Sequence, residues 1–272
     1  MPIAMDTGLL ILAVPQERPR AALELAERIC SRGLPVSVWL PESETVPWSQ
    51  ELEQFRRLCP VLVGTTSAPE HPVEFLVDTA LQPSFERRAL LQQLQQRFPQ
   101  ALWLRSGLTE SATAFAHTLG SSNVVAFDAL PGLLRTLQRM EIAAALNAPA
   151  GALPKAQELF AALGYAVEVV EDRVGLVIPR ILAMLINEGA FAVMERAATP
   201  QDIDTAMRLG TGYPKGVLEW GDEIGLEVVL AILDALYAEY RQERYRACVL
   251  LRQYARAQRL GRHTQQGFYR YD

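Results

Sequence analysis

Between Val177 and Met194 only Pro, Arg, Asn, Glu and Gly interrupt apolar residues, so a helix here has no clean polar face. A helix that apolar nearly all round must be covered on more than one side, by its own domain or by a second chain. Pro179 suits the first helical turn, where its missing N–H costs nothing. Thr199-Pro200-Gln201-Asp202 reads as the capped start of the next helix, and Gly210 as its stop. From Gly175 onward no strand pattern survives.

Upstream the period is different. Leu9–Val14, Val36–Leu40, Val61–Val63, Glu74–Asp78, Ala101–Leu104, Asn123–Phe127, Arg139–Ala143 and Ala166–Val170 are short apolar runs of strand type. Helical patterns lie between them at Arg20–Arg32, Ser84–Phe98, Thr113–Leu119 and Pro154–Gly164. Strands alternating with helices imply βαβ units and right-handed crossovers. The expected fold class is α/β, a Rossmann-like, doubly wound, mostly parallel sheet followed by an all-α C-terminal domain. The change of period places the domains at 1–172 and 173–272. A sheet of this kind takes ligands beyond its strand carboxyl ends, where strand order reverses.

Composition excludes several function classes. A net charge of −5 argues against a nucleic-acid or anionic-membrane surface, which needs clustered Lys and Arg. Cys30, Cys59 and Cys248 are odd in number and far apart, which fits a reducing, cytoplasmic setting and no metal site. The run Leu9–Val14 is too short to span a membrane and lacks the basic flank of a signal peptide. Gly210–Gly216 is rich in glycine and holds Lys215, but it follows a helix, contains Pro214 and has the wrong spacing for a phosphate loop.

The C-terminal hundred residues carry an ordered series of motifs: Asp172-Arg173, Gly175, Arg180, Asn187-Glu188, Ala198-Thr199, Asp202-Ile203-Asp204, Ala206-Met207 and Gly210. Gly212-Tyr213-Pro214, Gly216, Asp222, Gly225-Leu226, Gly261-Arg262 and Gly267-Phe268-Tyr269-Arg270-Tyr271 continue it. This series resembles the C-terminal domain of the 3-hydroxyacyl-CoA dehydrogenase family. The resemblance implies an NAD-dependent oxidoreductase on acyl-CoA substrates, and pairing of two copies through the C-terminal domain. A homodimer and an acyl-CoA ligand are therefore the expected partners.

The family's cofactor and catalytic positions are largely altered. Where its glycine-rich turn should follow the first strand stand Pro15-Gln16-Glu17-Arg18-Pro19. Two prolines remove N–H donors, side chains replace glycines, and Glu17 brings negative charge toward a phosphate. Pro15, Gln16 and Arg18 thus mark the cofactor turn in position only. The acidic residue that would hold a ribose falls on Leu40 or Pro41, with Glu42 just beyond. The resemblance places the family's catalytic His at Asp128, its Glu at Glu141, its Ser near Ser106 and its Asn at Pro179. His71, His117 and His263 stand in a loop, a helical pattern and the C-terminal turn, and none replaces the missing imidazole. Asp128 and Glu141 either form an acidic pair or are a solvated Asp and a Glu paired to Arg139. Two readings follow: a member that kept the fold and lost NAD binding and chemistry, or an active dehydrogenase with a divergent site. Three coincident losses favour the first.

Overall fold

The computed structural model describes residues 8–13, 19–40, 49–64 and 69–271. The chain divides into two compact units, 1–129 with 134–176, and 130–133 with 177–272. The first unit runs past Asp172 because Gly175 N–H donates to the Gly107 carbonyl at 2.8 Å, and the Leu176 side chain packs on Gly107.

In the first unit the elements are β1 (Gly8–Leu12), α1 (Arg20–Ser31), β2 (Val36–Leu40), α2 (Ser49–Leu58), β3 (Val61–Val63) and β4 (Val73–Asp78). A 3-10 turn (Ser84–Arg87) leads into α3 (Arg88–Arg97), β5 (Leu102–Ser106), α4 (Ala112–Leu119), β6 (Val124–Phe127), β7 (Arg139–Ala144), α5 (Ala152–Ala162) and β8 (Ala166–Val169). The sheet order is β3-β2-β1-β4-β5-β6-β7-β8, parallel throughout except between β6 and β7. Strand order reverses between β1 and β4. Both faces of the central strands are covered, which is why they read as unbroken apolar runs. Leu9, Ile11, Val38, Val77 and Leu104 pack toward α1, α2 and α5, and Leu10, Leu12, Leu76 and Trp103 toward α3 and α4.

Three local readings of the sequence need correction. Ser84–Phe98 is not one helix, because Ser84–Arg87 tightens into a 3-10 turn around buried Ser84 and Arg87. The helix α2 forms from a polar stretch whose apolar side is only Leu52, Phe55 and Leu58, too sparse to register as a period. Gly210 lies inside its helix, and Gly212 at φ 73° makes the left-handed stop instead.

The second unit holds α6 (Ile178–Met194), α7 (Pro200–Thr211), α8 (Val217–Ile224), α9 (Leu226–Tyr240) and α10 (Val249–Arg256). No helix among the described residues is long and apolar enough to cross a membrane. Helix α6 buries Leu182, Ala183, Ile186 and Ala190, while Ile178, Ile181 and Met194 stay exposed. Buried Asn187 reaches from α6 to the segment before α10, accepting from Cys248 N–H at 2.8 Å and donating to the Arg246 carbonyl at 3.0 Å. Asp204 is the buried residue of α7, and its carboxylate caps α8 by accepting from Leu218 and Glu219 N–H at 2.8 and 3.0 Å. Asp222, fully buried on α8, accepts from Phe268 and Tyr269 N–H, both at 2.9 Å, and from the Tyr271 hydroxyl at 2.9 Å. Tyr269 donates its hydroxyl to Asp204 at 2.7 Å. Gly216 and Gly267 make these approaches possible, since a Cβ at either would meet the Asp204 or Asp222 carboxylate at 2.0 Å.

Asp222→Ala leaves two buried backbone N–H groups without an acceptor. We expect it to lower the unfolding free energy by about 3 kcal/mol or more, and Tyr271→Phe by about 1 kcal/mol. Urea unfolding followed by tryptophan fluorescence checks this. An Asp222→Ala protein within about 0.5 kcal/mol of wild type would remove the clasp from the account of stability.

Candidate functional site

The strand carboxyl ends bring three predicted residues to neighbouring positions. Ser106 closes β5, and the pairing sets it opposite Phe127, the last residue of β6. Asp128 follows directly and is 2% exposed. Its N–H donates to the Glu141 carbonyl on β7 at 3.1 Å, so the two acidic residues sit side by side at the sheet edge. Glu141 is 8% exposed. Arg139 pairs with Glu168 on β8, so the expected Arg139–Glu141 pair gives way to a cross-strand one. Ser106 is fully buried, and its hydroxyl meets no donor or acceptor among the described residues. It therefore makes no hydrogen bond to Asp128 or Glu141.

The surroundings of Asp128 are acidic and phenolic. Buried Tyr165 donates its hydroxyl to the Leu134 carbonyl at 2.8 Å, and Arg28 lies 3.9 Å over its ring. Burial pushes the Tyr165 phenol up to about 12; Arg28 opposes this, while the charges of Glu24 and Asp128 add to it. His71, near the start of β4, contacts the Ser37 hydroxyl through Nε2 at 3.0 Å, and His263 pairs with Glu227 at 3.2 Å in the second unit. Pro179, at the family's Asn position, is buried in the first turn of α6 and offers no side-chain polar atom.

The point where strand order reverses holds a network that sequence reading missed. Asp78 closes β4 and Arg105 pairs opposite it on β5; both are fully buried. Arg87 grips the Asp78 carboxylate with both guanidinium nitrogens at 3.3 and 2.8 Å, and Arg105 lies 3.5 Å away. Arg105 also donates to the Ala80 and Gln82 carbonyls, so it pins the loop leaving β4. Glu110 stands 3.6 Å from Arg105 and accepts from the Ser84 hydroxyl at 2.6 Å. Burial alone would raise the Asp78 carboxyl, but the charges of Arg105 and Arg87 outweigh it and hold its pKa below the usual carboxylate value. The signal was available: Arg105 and Asp78 are charges inside otherwise apolar strand runs.

A dinucleotide would lie across these strand ends, with its pyrophosphate at the start of α1. Pro15, Gln16, Arg18 and Glu42 lie outside the described residues. Pro19, buried at the cap of α1, has no N–H to give. Leu40, fully buried, ends β2 where a ribose-binding carboxylate would stand. Arg87 and Arg105, beside the end of β4, pair with Asp78 and Glu110, and Arg105 holds the loop after β4. No group of three or more His, Cys, Asp or Glu among the described residues could hold a metal ion.

Comparison with known proteins places the chain. Residues 175–271 match the 3-hydroxyacyl-CoA dehydrogenase C-terminal domain, and residues 106–173 match a 3-hydroxybutyryl-CoA dehydrogenase reduced Rossmann-fold domain. The chain is 42% identical over 146 residues to the 3-hydroxyadipyl-CoA dehydrogenase of Escherichia coli strain K12, covering 54% of this chain and 30% of that protein. It is 45% identical over 103 residues to the 3-hydroxybutyryl-CoA dehydrogenase of Clostridioides difficile, covering 38% and 37%. The matched stretch thus spans about a third of the length of these curated relatives. The fold matches the crystal structure of (S)-3-hydroxybutyryl-CoA dehydrogenase from Ralstonia eutropha, with TM-score 0.74 and 21% identity over 97% of this chain and 99% of that one.

The Asp78 network carries a pH signature. A carboxyl held below its ordinary value stabilises the folded state above that value, and the contribution fades as pH falls through the lowered one. Asp78→Asn should cost about 3 kcal/mol at neutral pH, because buried Arg87 and Arg105 lose the carboxylate charge between them. Measured by denaturant unfolding, the gap between wild type and variant should hold from pH 8 to about 5 and shrink below about 4. A gap independent of pH down to that range would mean that the carboxylate charge contributes nothing.

Proposed function

This chain belongs to the 3-hydroxyacyl-CoA dehydrogenase family, and we propose that it keeps the family's frame as a binding or partner subunit of acyl-CoA metabolism, without NAD affinity or hydride-transfer chemistry. One observation carries the reading: where the family resemblance expects a histidine, the sequence has Asp128, which offers no imidazole to take the hydroxyl proton. Hydride leaves a carbinol carbon only as its hydroxyl is deprotonated, and a carboxylate whose unperturbed pKa is about 4 is a weak acceptor for that proton. Pro179 in place of Asn, the absence of a hydrogen bond from the Ser106 hydroxyl to either acid, and Pro15 to Pro19 in the phosphate turn support the same conclusion. The second reading, an active dehydrogenase with a divergent site, draws on the names of the relatives, and the same experiment separates the two.

In that experiment NADH is titrated into the pure protein. We expect a dissociation constant above about 1 mM and negligible oxidation of 3-hydroxybutyryl-CoA. Asp128→His alone should not restore activity, since the phosphate turn and Pro179 remain. Micromolar NADH affinity, or turnover that depends on Asp128 and Glu141, would establish the second reading instead.

Assembly is part of the proposal. The open face of α6 presents Ile178, Ile181, Met184 and Leu185 beside a cleft of about 580 Å³. Glu188 and Glu243 share that cleft with Arg244 and Arg246. Apolar residues flanked by both signs of charge are self-complementary about a two-fold axis, which suits a second copy of this chain. Light scattering at micromolar concentration should return twice 30.2 kDa, and Ile181→Glu should halve it. A wild-type monomer would refute the pairing.

A further inference from the structure

The second unit carries a cluster of positive charge that runs against the net −5 of the chain. A cleft of about 470 Å³ opens between α7, α8 and the C-terminal segment, lined by Arg208, Glu219, Arg262, Tyr269, Arg270 and Tyr271. Gln201 and Thr205 add neutral hydrogen-bonding groups from the face of α7 that also carries Arg208, since residues three and four apart are neighbours on a helix. Its rings are fixed from behind, Tyr269 by Asp204 and Tyr271 by Asp222. Its cations are held to different degrees. Arg262 lies 4.7 Å over the Tyr271 ring, and Arg208 reaches the Thr205 hydroxyl at 3.3 Å and Glu219 at 3.7 Å. No carboxylate among the described residues pairs with Arg262 or Arg270.

We propose that this cleft binds an anion bearing more than one phosphoryl group. Three guanidiniums and one carboxylate line its wall, and Arg262 and Arg270 have no carboxylate partner among the described residues. Guanidinium presents paired N–H donors that match phosphoryl oxygens, and holding it in place beforehand lowers the entropy lost on binding. The buried carboxylates of Asp204 and Asp222 are spent on backbone N–H groups and the two phenols, so they brace the floor. All lining residues belong to the second unit. The proposal is therefore independent of whether the strand ends of the first unit accept a dinucleotide.

Calorimetric titration of the full chain with inorganic pyrophosphate tests it. The expected result is saturable binding with a dissociation constant below about 1 mM at low salt, weakened at least about tenfold in the Arg262→Gln/Arg270→Gln double variant. Both side chains are exposed, so the variant should keep the wild-type melting temperature, which is measured alongside. Arg57→Gln, exposed on α2 in the first unit, should bind as wild type does. ADP in place of pyrophosphate distinguishes a nucleotide from a free anion: tighter binding assigns the tyrosine floor to a base, and equal binding assigns recognition to the phosphoryl groups alone. Absence of saturable heat with either probe, or equal affinity in the double variant, would overturn the proposal.

Discussion

Aspartates that accept backbone N–H groups hold this molecule in shape. Asp204 caps α8, Asp222 clasps the C-terminal segment, and in the first unit Asp172 caps α4 by accepting from Ala112 and Thr113 N–H at 2.7 and 2.8 Å. Each helix start has donors with no partner inside the helix, and a carboxylate there satisfies two at once and complements the helix dipole. Burial pushes the Asp222 carboxyl up, opposed by the very N–H and hydroxyl groups that it accepts from. Without these acceptors the buried donors would be stranded, at about 1–3 kcal/mol each.

The same constraint accounts for many of the residues that carry the family resemblance. Asp172, Gly175, Asn187, Asp204, Gly216, Asp222 and Gly267 all carry the resemblance, and every one of them braces backbone or permits a close approach. None of these contacts involves a reacting group.

At those strand ends the charges have turned inward. Asp78, Arg87, Arg105 and Glu110 satisfy one another and the loop after β4. Buried ions of this kind are tolerated only when paired and hydrogen-bonded, so they are poorly placed to meet a ligand as well. In the second unit Arg262 and Arg270 are left facing a cleft, where a ligand can supply the missing negative charge.

Sequence alone determined the fold class, because period two and period 3.6 are properties of neighbouring residues that burial on a sheet or helix imposes directly. It also determined the absence of a glycine turn and an imidazole, which are matters of residue type. It missed α2, whose apolar side is three residues, and misplaced the stop of α7 by two residues, since either glycine can take positive φ. Only the tertiary structure decided that Glu141 stands beside Asp128 through a backbone bond while Arg139 turns to Glu168, and that Arg105 meets Asp78 across β5 and β4. Such pairings join residues far apart in the chain, and strand register settles them, with no local trace in the sequence.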